Sequence, residues 1–218
     1  MKVFQRLQVS GPRETLEGLI ATMEAGAPAG WRRDREAEAS LGQTSTPMYC
    51  FAAQAAPGRA ASTLWLVLEP QGRLYMSNIV PRAKSQLSYD ECNAVLADFL
   101  QTVVRPAAGT IPVEVTLTAA EEDLEAWASP NAARLLRIFA RSANKATGTA
   151  HPHDRMQWHA FLVAAHKDRI ALDPSTLARW LQESAQWPDD TASDVATEYE
   201  TGRALLQYYD GGGTRTLA

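Results

Sequence analysis

Residues 64–77 read LWLVLEPQGRLYMS. Two short runs of aliphatic and aromatic residues flank the turn Glu69-Pro70-Gln71-Gly72. Proline at the second turn position has its φ already set, and glycine is favoured at the fourth. The pattern predicts a β-hairpin with strands at 63–69 and 73–80. Side chains two apart share one face of a strand, so Leu64, Leu66 and Leu68 are expected to point inward together.

Working outward, residues 2–9 alternate, with Val3, Leu7 and Val9 on one side, and read as a strand. Ser10-Gly11-Pro12 then opens a helix whose stripe is Leu16, Leu19, Ile20 and Met23. Further strands are expected at 31–37 and 48–54. Ser88-Tyr89-Asp90-Glu91 is a capping box. It predicts a helix to about Val104, closed by Pro106. Val113, Val115 and Leu117 alternate as a last strand. The order is β-α-β-β-β-β-α-β. A mainly antiparallel sheet buries one face under two helices most simply, so residues 1–118 are expected to form an α+β domain.

Thr118-Ala119-Ala120-Glu121 is a second capping box, and from there the chain reads as helical. Ser129-Pro130, His151-Pro152 and Asp173-Pro174 each place a capping residue before a proline at the first helical position. A last helix starts near Asp189 and Asp190. Residues 119–210 are expected to be an all-helical domain, and 211–218 a mobile tail beginning with three glycines.

The net charge of −4 and pI near 5.6 do not suit general binding to duplex DNA. No apolar run approaches the roughly 20 residues of a membrane span, and the N-terminus MKVFQRLQVSG lacks the apolar core of a signal peptide, so a cytoplasmic location is expected. The two cysteines, Cys50 and Cys92, make no disulfide framework and read as buried, reduced thiols.

The candidate site lies in 129–159. Arg134, Arg137, Arg141 and Lys145 are spaced to form one narrow stripe on a continuous helix, opposite Leu135, Leu136 and Phe139. No acidic residue interrupts 129–153. The stripe runs into Asn144, Thr147, Gly148 and Thr149, then His151, His153 and Asp154 at a helix start. Small hydroxyl and glycine residues beside cations can present N–H groups to an anion. The expectation is a partner or ligand site at Arg134, Arg137, Arg141, Asn144, Lys145, Thr147, Thr149, His151, His153 and Asp154. The competing reading is a solvated helix face and a capped turn. The cations could also pair with the last helix, whose residues 189–210 hold six carboxylates against the single Arg203.

All four histidines fall within 151–166, yet His159 and His166 are seven apart, and only His151 and His153 could share an ion. No metal site and no cofactor are expected. No nucleophile elbow, Walker loop or Cys–His pattern is present. The resulting expectation is a non-catalytic interaction protein, an accessory, regulatory or immunity-type partner in a bacterial system, whose partner is another protein. The alternative is an enzyme or ligand sensor holding a phosphorylated small molecule or nucleic-acid phosphate at 134–154.

Overall fold

The computed structural model describes residues 1–211 except Gln43, Lys84, Thr110 and Ala171. The expected tail therefore lies outside the described residues after Gly211. The chain is α+β and divides into two compact units, Lys2–Ala120 and Met1 with the chain from Glu121 onward.

The first unit holds β1 (Leu7–Ser10), α1 (Arg13–Ala25), β2 (Trp31–Arg33), α2 (Arg35–Ser40), β3 (Met48–Ala53), β4 (Ser62–Glu69), β5 (Arg73–Pro81), α3 (Tyr89–Phe99), α4 (Arg105–Ala108) and β6 (Glu114–Leu117). The strands form one sheet in the order β2-β3-β4-β5-β1-β6, and every pairing is antiparallel. The decisive hairpin is β4–β5, with Glu69 opposite Arg73. The Gly72 N–H donates to the Glu69 carbonyl, and Gly72 has φ +81°. That is a three-residue loop with glycine in the left-handed position. Leu64, Leu66 and Leu68 are buried, in one core with Leu16 and Leu19 of α1 and Val95 and Phe99 of α3. Val113, Val115 and Leu117 are half-buried against that core. Cys50 is buried and Cys92 half-buried, and neither is in a disulfide. Burial, with Asp34 and Glu38 nearby, pushes the Cys50 thiol up to about 12.

Four local expectations are corrected. The first strand starts at Leu7, not residue 2. The strand expected at 31–37 stops at Arg33, because the Asp34 carboxylate accepts the Ala37 N–H and caps α2. Asp34 is a preferred capping residue, and Arg35–Ser40 is rich in good helix formers. The helix expected to stop at Pro106 continues to Ala108. Residues Leu100–Val104 form a π-turn in which the Arg105 N–H reaches the Leu100 carbonyl. The widened turn accommodates a proline that lacks a donor and would crowd the preceding carbonyl. Finally, no helix starts at Thr118. Its hydroxyl accepts the Arg6 N–H and its own N–H donates to the Arg6 carbonyl. Pairing with the N-terminal segment takes the groups a cap would need.

The second unit contains a 3₁₀ turn (Leu124–Ala126), α5 (Pro130–Ser142), α6 (Pro152–Lys167), α7 (Pro174–Glu183) and α8 (Asp189–Asp210). Ser129, His151 and Asp173 cap α5, α6 and α7, each with proline next. The core centres on aromatics: the Phe139 ring lies 5.0 Å from that of Trp158 and 5.3 Å from that of Trp187. Among the described residues no helix is long and apolar enough to cross a membrane.

Several carboxylates sit below their ordinary range. The hydrogen bond from Arg35 takes Glu24 down to about 2. At Asp173 burial acts upward, but the Ser175 and Thr176 hydrogen bonds outweigh it and hold the group at about 2. A depressed carboxylate contributes stability that is complete above its unfolded value, about 4, and is lost as pH falls through the folded value. The melting temperature is therefore expected to hold near neutrality and drop between about pH 4 and pH 2. Melts across that range check it, and Asp173→Asn should flatten part of the drop.

Candidate functional site

The helix α5 buries Ala132, Ala133, Leu136, Phe139 and Ala140, which turns its charged residues outward. It ends at Ser142, so Lys145 does not continue the stripe. Ala143 is extended, at φ −70° and ψ 149°. The Asn144 side chain accepts the Ala146 N–H at 3.0 Å, and the Asn144 N–H donates to Asp154. Such local side-chain bonds compete with helix propagation.

The four cations have separate fates. Arg134 donates to the Asn131 side chain at 3.0 Å. Arg137 is held by two carboxylates, donating to Glu125 at 2.5 and 2.7 Å and to Asp123 at 2.7 Å. The Arg137 hydrogen bond lowers Glu125. Burial raises Asp123, but hydrogen bonds from Trp180, the Leu124 N–H and Arg137 bring it below the usual carboxylate range. Lys145 Nζ donates to the Ala185 carbonyl at 2.5 Å. Arg141 is exposed and has no polar partner among the described residues.

Arg137, Arg141 and Lys145 line one depression of about 720 Å³ with Glu122, Trp180 and Gln186. Gln186 holds a left-handed backbone at φ +57°, which is uncommon outside glycine. Asp123, also on the wall, accepts the Trp180 Nε1–H at 2.9 Å. The depression thus carries cations on one wall and carboxylates on another.

The rest of the expected set does not line it. Thr149 is buried and its hydroxyl donates to the Glu198 carboxylate of α8 at 2.6 and 2.8 Å. Gly148, at φ +57°, lies where a Cβ would stand 3.2 Å from Val195 and 3.3 Å from Thr191. Asp154 is buried, and its Oδ2 accepts the Asn144 N–H at 3.2 Å. His151 Nδ1 accepts the His153 N–H at 3.2 Å, and the His153 ring meets Gln157. Thr147 is exposed on the same turn. The loop fastens α5, α6 and α8 to one another. Three of the ten expected residues therefore meet at the depression, while Asn144, Thr149, His151 and Asp154 hold the loop in place. Asp123, Trp180 and Gln186 were missed by sequence reasoning. They stand 14 to 49 residues from the cations they approach, and no local pattern marks them.

A second concavity, about 910 Å³, lies in the first unit beside β5, where the β1 pairing stops at Tyr75. Met76, Ile79, Leu87 and Leu96 are among its lining residues. The β5 edge there is interrupted by a bulge opposite Trp65 and ends at Pro81. Both features discourage a further strand from pairing.

Comparison with protein-family models, with curated proteins and with solved structures finds no match for this chain.

Proposed function

We propose that the chain is a non-catalytic interaction protein of the cytoplasm, an accessory, regulatory or immunity-type partner in a bacterial system. Its binding group is Arg141 beside Lys145. The observation that carries this reading is the uncommitted guanidinium of Arg141. The neighbouring Arg137 is consumed by Asp123 and Glu125, and Lys145 lies within reach on the same rim. A planar guanidinium with its donors unfilled suits a carboxylate or phosphate on a partner. The lowered carboxylates of this unit support a scaffold. Asp123, Glu125 and Asp173 are lowered carboxylates bound to structural donors, and none is raised toward a neutral-pH acid or base.

A second reading rests on the depression itself. Its 720 Å³ is within the size of small-molecule sites, so a phosphorylated small molecule could place its anion on Arg141 and Lys145.

The test is Arg141→Glu with Lys145→Glu, used as bait in its native host beside the unchanged chain. The expected result is loss of the captured partner with a melting temperature near that of the parent. Lys145→Glu removes the bond to Ala185, worth about 1 kcal/mol, so Arg141→Glu alone serves as the control. Full capture by the folded double variant removes the rim from the interface. Binding of inorganic phosphate or a nucleotide to the parent but not to the variant would favour the small-molecule reading.

A further inference from the structure

We infer that the outer face of α8 is a docking surface for a basic, amphipathic helix of a partner protein. This extends the interaction reading to a second surface, and it does not depend on the Arg141 rim.

α8 is the longest helix among the described residues and buries Ala192, Val195, Ala196 and Tyr199. At about 100° per residue, Asp190, Asp194, Thr201, Leu205 and Tyr208 fall together on the opposite side. That side is not uniformly polar. Its first half bears Asp190 and Asp194, flanked by Glu200, all exposed and with no cation partner among the described residues. Its last two turns bear Leu205 at 66% exposure, Tyr208 at 63% and Tyr209 at 78%. The helix as a whole holds six carboxylates against Arg203.

A surface helix normally turns its polar face to water and its apolar face to the core. Here a second apolar stripe points outward at the C-terminal end. Leu205 and Tyr209, at i and i+4, form a ridge of the kind that packs into the groove of another helix. Tyrosine supplies contact area at low entropic cost and is enriched in interfaces.

The charge selects the occupant. A second copy would set the acidic half against like carboxylates if packed parallel and against its apolar half if packed antiparallel, and an anionic membrane or a nucleic acid would be repelled by Asp190, Asp194 and Glu200. A helix with lysines or arginines over one half and apolar residues over the other satisfies both halves. The acidic and apolar halves are centred about 15 residues apart, so the partner needs its two halves about 22 Å apart along its axis.

The experiment uses the whole chain and a labelled helical peptide of about 20 residues, long enough to span both halves, with lysines on one face of its first turns and leucines on the same face of its last turns, centred about 15 residues apart. A matched peptide has glutamate for lysine. Fluorescence polarisation reads binding at low and high salt. The lysine peptide should bind and the glutamate peptide should not. Leu205→Ser with Tyr209→Ser, and separately Asp190→Asn with Asp194→Asn, should each weaken binding by about tenfold or more, with unchanged helical circular dichroism. Both pairs are solvent-exposed, so the fold survives either change, and each checks the other. Unchanged affinity in the Leu205/Tyr209 variant would reduce the attraction to undirected charge and overturn the inference. So would equal binding of both peptides, or binding of neither. A dimer of the parent that the Leu205 and Tyr209 changes dissolve would assign the stripe to a second copy and equally overturn it. Arg141→Glu should leave peptide binding untouched, which separates this result from failure of the rim.

Discussion

Phe139→Ala is expected to destabilise the helical unit by about 3–5 kcal/mol, the range for truncating a fully buried aromatic. The side chain is fully buried on α5. Its ring stands between those of Trp158 on α6 and Trp187 before α8, at centroid distances of 5.0 and 5.3 Å. Trp187 is further pinned by its Nε1–H, which donates to the Ala140 carbonyl at 3.1 Å. Neither indole can collapse into the vacated space without breaking that bond or pulling α6 away from α5. The lost contact therefore becomes a cavity rather than a repacked core. Urea unfolding followed by tryptophan fluorescence measures the loss, and peptide-level hydrogen exchange locates it. Exchange should accelerate across 130–210 and stay near parental in 7–117. A loss under about 1 kcal/mol would mean that the three rings do not share one rigid packing.

The second large effect is expected from Gly72→Val, at about 2–5 kcal/mol. Gly72 has φ +81°, and a side chain there costs about 1–2 kcal/mol through backbone strain alone. A Cβ would also lie 2.4 Å from the Gly11 carbonyl oxygen, a backbone atom that cannot rotate aside. Overpacking of that kind adds about 1–3 kcal/mol. The collision strikes where the Gly11 N–H donates to the Gly72 carbonyl, so β1 separates from β5 at the hairpin end. The loss should appear as faster exchange in 7–11 and 72–76, with 130–210 unaffected. Gly58→Ala is the contrast. That glycine also has a positive φ, +77°, but nothing stands within 4 Å of its Cβ position, so only the conformational part of the cost should be seen.

Much of the fold was legible because its signals are local. The 64–77 hairpin needs only alternation and the Pro70–Gly72 turn, and both act within a few residues. The caps at Ser129, His151 and Asp173 likewise need only a side-chain acceptor two or three residues before the N–H it binds. Apolar stripes such as Leu16, Leu19, Ile20 and Met23 depend on helical periodicity alone. Two of the misread segments are ones where tertiary packing intervened. Thr118 has the sequence of a cap, but the N-terminal segment claims its hydroxyl. Pro106 has the sequence of a stop, but burial of Val103 and Val104 carries the helix past it through the π-turn they belong to.

The sequence by itself determined the helix α5 and the outward direction of its cations, since Leu136 and Phe139 must be buried. Only the tertiary structure decided what those cations do. Charge pairing depends on what lies within a few ångströms, and the partners come from far along the chain. Asp123 and Glu125 take Arg137, and Ala185 takes Lys145. Arg141 is left exposed, its donors unmet among the described residues. The acidic last helix was visible in composition, but its outward Leu205 and Tyr209 became a surface only once Ala192, Val195 and Tyr199 had faced the core. A helix has one inward direction, and packing against α6 and α7 chose it.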